Sequence, residues 1–155
     1  MFFGQNKYKQ NRGISYVWKS LLLKNNNNMH LSFNPSFVPK ILNGQKIHTF
    51  REDKPNRWGK GSLIHFCTGL RSNEYNCFKK DYCISTQTIK IIPQGWIVPL
   101  ITARLPKVYV DGKIIDGFML LQLIGNDGFD SVEDFCEWFH EPFIGKIIHW
   151  TEFKY

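Results

Sequence analysis

The segment Ile41-Leu42-Asn43-Gly44-Gln45-Lys46-Ile47-His48-Thr49-Phe50-Arg51 reads as the last turn of an apolar helix, a stop, and an extended run. Ile41 and Leu42 complete a stripe begun by Phe37 and Val38, and Asn34-Pro35 supplies the cap and first-turn proline upstream. Asn43-Gly44 ends the helix, because glycine takes the left-handed conformation after a cap without a side-chain clash. From Lys46 to Arg51 the chain is expected to be extended, so lysine, histidine, threonine and arginine share one short segment. Thr49 and Arg51 then lie on one face of the strand, whereas Lys46 and Thr49 point apart. Those two converge only if Lys46 stands on the turn before the strand or on a bulge, and Gly44 makes such a turn accessible.

Outward from this segment the elements alternate. His30-Leu31-Ser32-Phe33 opens a first strand after Met29, and residues 62–68 form another, with Leu63, His65 and Cys67 set against Ile64 and Phe66. Residues 82–92 are β-branched and strand-like, as are residues 96–103. Val108-Tyr109-Val110, Asp111-Gly112 and Lys113-Ile114-Ile115 make the clearest hairpin signal. Residues 117–125 look helical through Met119, Leu120, Leu123 and Ile124. Ser131 and Asp134 nearly form a capping box for a second helix, with Val132, Phe135, Cys136 and Phe139 as its buried stripe. Residues 145–153 close the chain as a last strand. Five to seven short strands interleaved with short helices predict an α+β fold built on a small mixed β-barrel.

The 155 residues suit one domain, and 43% hydrophobic with 15% aromatic content excludes a disordered chain. Residues 1–28 differ from the rest: Lys7, Lys9, Arg12, Lys19 and Lys24 meet no acid, and the stretch ends in four asparagines. It accounts for five of the seven net positive charges, so residues 29–155 are close to neutral and anion affinity there requires a local patch. The leader reads as a start-site extension with Met29 as the initiator, or as a poorly ordered basic arm. Leu21-Leu22-Leu23 is far too short to span a bilayer, which takes roughly 20 apolar residues. Cys67, Cys77, Cys83 and Cys136 show no paired spacing. Free thiols in a reducing cytoplasm follow, and no spacing asks for a metal or another cofactor.

Several residues carry chemistry beside an ordinary structural reading. Lys46 is a base or clamp if burial lowers its pKa, and otherwise a solvated lysine at a strand start. Thr49 is a nucleophile or water-orienting hydroxyl if a base adjoins it, and otherwise a β-branched strand residue. Arg51 and Arg57 are forks for phosphate, or partners of Glu52 and Asp53. Trp58 stacks on a base or fills the core, and His48 contacts a ligand or packs. Asp127 assists proton transfer or shapes the Asn126-Asp127-Gly128 turn. The aromatic group Phe135, Trp138, Phe139, Phe143 and Trp150 reads as core.

Gly44-x-Lys46-x-x-Thr49-x-Arg51 resembles the signature of the ASCH family, a branch of the PUA-like barrels. Arg57-Trp58 before Gly61-Ser62-Leu63-Ile64-His65-Phe66, Asp127-Gly128-Phe129, and Gly145-Lys146-Ile147-Ile148-His149-Trp150 follow in the family's order, across residues 29–153. The resemblance implies a PUA-like barrel with a cleft that binds RNA, a nucleoside or a nucleotide. Some relatives hydrolyse the acetyl amide of 4-acetylcytidine, and others are ribonucleases. In the amidohydrolases the working lysine, threonine and acid correspond to Lys46, Thr49 and Asp127, the last standing where relatives carry a glutamate. Residues 93–115 are an insertion relative to those compact enzymes.

Overall fold

Short apolar runs punctuated by turn residues build a mixed α+β fold, which the computed structural model describes for residues 28–97, 102–103 and 105–155. The strands are β1 (Asn28–Ser32), β2 (His48–Arg51), β3 (Leu63–Thr68), β4 (Asn76–Tyr82), β5 (Ser85–Ile92), β6 (Trp96–Ile97), β7 (Thr102–Ala103), β8 (Lys107–Val110), β9 (Lys113–Ile115) and β10 (Phe143–His149). The helices are α1 (Val38–Leu42), which follows a 3-10 turn at Pro35–Phe37, then α2 (Gly117–Asn126) and α3 (Val132–Trp138).

Two sheets carry the fold. One has the order β1-β3-β4, with β1 parallel to β3; the other has the order β2-β10-β5-β8-β9, and β6 and β7 pair separately. Among the described residues the strands do not close into the barrel expected from the sequence. The reason lies at a corner. The expected single strand over residues 82–92 breaks at Cys83-Ile84, where Gly61 N donates to Cys83 O at 2.8 Å and Ile84 N to His149 O at 2.8 Å. Those bonds carry the chain from one sheet into the other without a continuous ladder. Edge strands β1 and β2 are left facing each other across an unpaired seam.

Two cores meet on β10, whose alternate residues point to opposite sides. Ile147 packs with Phe50, Ile89, Leu123 and Phe135 beneath α2 and α3, while Ile148 packs with Leu31, Phe66, Trp58 and Trp150. The hairpin β8–β9 turns at Asp111 (φ 49°) and Gly112 (φ 79°), both left-handed as a two-residue loop requires. Ser131 accepts from Asp134 N at 3.0 Å and so caps α3 as the sequence predicts. Gly44 (φ 82°) is left-handed after α1.

Other expectations are corrected. Leu42 and Met119 are exposed rather than part of buried stripes, because their helices are short and bury only one narrow face. The closing strand runs Phe143–His149, two residues ahead of its expected start, because Phe143 already pairs with Ile91. Strand β4 lies in what reads as polar sequence, since it is half-exposed along its length. In residues 96–103 two short strands replace one, and residues 98–101 lie outside the described residues. The leader expectation covers residues 1–28; residues 1–27 lie outside the described residues, and Asn28 is already the first residue of β1 rather than the end of the leader.

Candidate functional site

Lys46 stands on the turn before β2, and this resolves the problem of strand parity. Its backbone N donates to Lys40 O at 2.8 Å, and Ile47 N donates to Asn126 O at 2.9 Å. The segment is thereby pinned to α1 on one side and to the end of α2 on the other. The Lys46 side chain is 2% exposed, and its Nζ donates to Asp127 Oδ1 at 2.8 Å and to the Asp127 carbonyl. Nζ also lies 4.8 Å from the centre of the Phe37 ring. Burial lowers the Lys46 pKa from its ordinary value, and the Asp127 carboxylate opposes that shift. Lys40 adds a second ammonium, donating to Gly128 O at 2.8 Å and Asp130 Oδ2 at 2.6 Å. Both cations thus neutralise carbonyls at the C-terminal end of α2, where the helix dipole favours positive charge.

Gly128 (φ 88°) makes this contact possible. A Cβ there would stand 3.2 Å from both Cβ and Cδ of Lys46 and 3.2 Å from Phe37. Behind Asp127 runs a buried chain of polar groups. His48 Nδ1 lies 3.3 Å from Asp127 Oδ1, and Nε2 lies 2.8 Å from the Tyr155 hydroxyl, which accepts from Asn126 Nδ2 at 2.9 Å. His48 Nδ1 is buried, and its geometry to the carboxylate falls short of a hydrogen bond. Burial lowers the His48 pKa and raises that of Tyr155, keeping both neutral. The Tyr155 backbone is held in turn by Gln87, which accepts from Tyr155 N at 3.0 Å and donates to Tyr155 O at 2.8 Å.

Lys46, Thr49, Arg51 and Asp127 line one cavity of about 260 Å³, together with Ser32, Phe33, Phe37, Phe129 and Trp138. It sits at the seam between the end of β1 and the edge strand β2. Thr49 is buried, and among the described residues its hydroxyl makes no hydrogen bond. Arg51 bridges the seam: Nη2 donates to Ser32 O at 2.6 Å, and the guanidinium lies 5.1 Å from the centre of the Phe33 ring. Its Nε is buried without a hydrogen-bond partner. No carboxylate pairs with it among the described residues. Burial lowers its pKa, with Asp127 acting against the shift, and an arginine stays charged regardless.

The structure leaves Arg57 and Trp58 out of this cavity. Arg57 is exposed, and its backbone N donates to Asp53 Oδ1 at 2.8 Å. Trp58 is 4% exposed within the second core, so its ring is no platform for a ligand. The exposed aromatic residue at the cavity is Trp138, 57% exposed, with its ring 6.0 Å from Phe37 and 6.0 Å from Phe129. Sequence reasoning placed Trp138 in the core. A helical count from Val132, Phe135 and Phe139 puts it to one side of the buried stripe, which is the signal that was there to use. Trp138 also borders two flanking cavities of about 730 and 350 Å³. The first carries Asp130, Asp134 and Glu137, and the second Glu52 and Glu141, so acids bracket the cationic centre.

No group of His, Cys, Asp or Glu among the described residues has the arrangement of a metal site, and no helix among them is long and apolar enough to cross a membrane. No protein-family model, curated protein or solved structure matches the chain.

Proposed function

We propose that the chain binds a nucleotide-like ligand, free or at the end of an RNA, in the seam cavity. The observation that carries this reading is Arg51, a partly buried guanidinium whose Nε–H is buried and unused, with no carboxylate partner among the described residues. A buried charge without a counter-ion is costly, and an incoming anion supplies the missing partner. Trp138 offers an exposed indole beside it, suited to stacking on a base at about 1–3 kcal/mol. The acids on both flanks favour a short ligand over a long polyanion, which would meet Asp134 and Glu137 on one side and Glu141 on the other. Titration with nucleoside monophosphates and short RNAs tests this. The expected salt dependence corresponds to about one phosphate contact, and a steep slope growing with RNA length would overturn the short-ligand reading.

The ASCH resemblance supports the same reading. In it, the two sheets are a PUA-like barrel opened at the seam, the protein works in the cytoplasm, and its free thiols suit that compartment. A second reading, hydrolysis of a 4-acetylcytidine-like amide or of RNA, is favoured by the buried Lys46–Asp127 pair beside the Thr49 hydroxyl. An activated threonine needs a base bonded to it, and Lys46 Nζ is committed to Asp127. Binding is therefore the better-supported reading. Turnover of 4-acetylcytidine or short RNA by the wild type, abolished in Thr49→Val with binding retained, would reverse that order.

A further inference from the structure

Away from the cavity wall, β3 and β4 set two cysteines opposite each other. Cys67 and Cys77 are direct partners in the antiparallel register, the first pair beyond a bulge at Phe66/Cys67. Residues directly opposed across such a ladder project to the same face with Cα atoms about 4.5–5.5 Å apart. That spacing falls inside the window of roughly 4.4–6.8 Å that a disulfide occupies. Both thiols are free and weakly held: Cys67 Sγ donates to Leu31 O at 3.3 Å and Cys77 Sγ to Lys79 O at 3.7 Å, with the Tyr75 hydroxyl also beside Cys77. Cys77 is half-buried and open to a small oxidant, whereas Cys67 is fully buried behind it. The other two cysteines have no such partner. Cys83 is buried at the corner between the sheets with its thiol raised to about 12 by burial, and Cys136 lies on α3.

We propose that Cys67 and Cys77 are a redox-active pair that closes to a cross-strand disulfide under a hydroperoxide and reopens under a thiol reductant. The Cys77 thiolate attacks the peroxide, its sulfur bonding one oxygen as the O–O bond breaks, which gives a sulfenic acid and releases water from hydrogen peroxide. The Cys67 sulfur then attacks the Cys77 sulfur. The S–S bond forms, the S–O bond breaks, and the departing hydroxide takes the Cys67 proton to leave as a second water. Two thiols are oxidised and one peroxide is reduced. Burial raises the Cys67 thiol above its ordinary value, so the second step quickens as pH rises.

The pair stands close behind the seam. Cys67 O accepts from Phe33 N at 2.8 Å, its thiol holds Leu31 O, and the intervening Ser32 offers its carbonyl to Arg51.

The test is oxidation of the folded, reduced full-length chain with hydrogen peroxide, followed by alkylation under denaturing conditions and peptide mass mapping. The expected product is monomeric, lighter by two hydrogens, and has lost two of its four alkylatable thiols. It yields a Cys67–Cys77 linked peptide and returns to the starting mass with dithiothreitol. Cys77→Ser, a change at a half-buried position, should keep its remaining three thiols at the same peroxide dose. Cys67→Ser should stop at a Cys77 sulfenic acid that a dimedone probe traps. Four intact thiols in the wild type would overturn the proposal, as would a link between other cysteines, dimers only, or direct passage of Cys77 to a sulfinic acid.

Discussion

Residues 46–51 and 52–60 follow one another, and each offers a lysine, an arginine and an aromatic ring, yet they end in opposite electrostatic states. In the first, Lys46 is fully buried and Arg51 partly so, and the single carboxylate there, Asp127, pairs with Lys46 and reaches Arg51 only at longer range. In the second, Asp53 accepts from Arg57 N and Trp58 N and pairs with Lys146 at 3.0 Å, while Arg57 points to solvent. The second region is a closed turn with its polar groups satisfied. The first holds more positive charge than negative, and that imbalance, more than residue type, is what the proposed anion site rests on.

The largest expected contrast is in stability. Asp127→Ala leaves Lys46 buried and unpaired and should cost about 3–5 kcal/mol in urea unfolding. Asp130→Ala, which breaks the exposed Lys40 pair, should cost about 0.2–1 kcal/mol. Equal costs would mean that Lys46 finds water or another partner. The two tryptophans sharpen the comparison: Trp58→Ala removes a core side chain and should cost about 3–5 kcal/mol, whereas Trp138→Ala should unfold at nearly the wild-type midpoint and lose ligand affinity. Next come the glycines. Gly128→Ala, left-handed and crowded by Lys46, should destabilise by about 1–2 kcal/mol, while Gly59→Ala meets nothing within 4 Å and should be nearly neutral.

The last contrast is in pH. His48 and His149 stay neutral when folded, by burial in both cases, and His149 is lowered to about 3. The unfolded chain protonates both near 6.5 and so binds more protons, which means stability should fall as pH drops below that value. In the neighbouring turn, burial alone would raise the Asp53 carboxyl, but the Trp58 and Arg57 N–H groups and Lys146 outweigh it and hold its pKa below 3.8. Its contribution persists above 3.8 and is lost as pH falls through the depressed value. Unfolding midpoints measured from neutral pH downward should therefore begin to decline in the histidine window, and His149→Phe should flatten that part of the curve. A curve level until the carboxylate range would contradict the neutral buried histidines.

Much of the framework was legible because local signals determined it. The Asn34-Pro35 start, the Gly44 stop, the Asp111-Gly112 hairpin and the Ser131 cap are short-range devices, and each forms where the residues place it. The failures are tertiary. Whether Trp58 or Trp138 is buried depends on which sheet covers it, and a lone aromatic carries no such information. The split at Cys83-Ile84 leaves the β-branched pattern of residues 82–92 intact, so periodicity could not reveal it. At the site, the grouping of Lys46, Thr49, Arg51 and Asp127 in one cavity depended on Lys46 standing before the strand, a condition the alternation rule identified and the pairing register meets. The links from His48 to Tyr155 and from Arg51 to Ser32 left no trace in spacing, since they join residues brought together only by the fold.

The most direct measurement is calorimetric titration of adenosine monophosphate and of inorganic phosphate into the wild type, Arg51→Gln and Arg57→Gln. Hydrogen bonds to a charged group are worth about 1.5–3 kcal/mol, so Arg51→Gln should weaken adenosine monophosphate binding roughly ten- to a hundredfold while Arg57→Gln binds as the wild type does. Wild-type affinity retained in Arg51→Gln, or no binding of either anion by the wild type, would contradict the account.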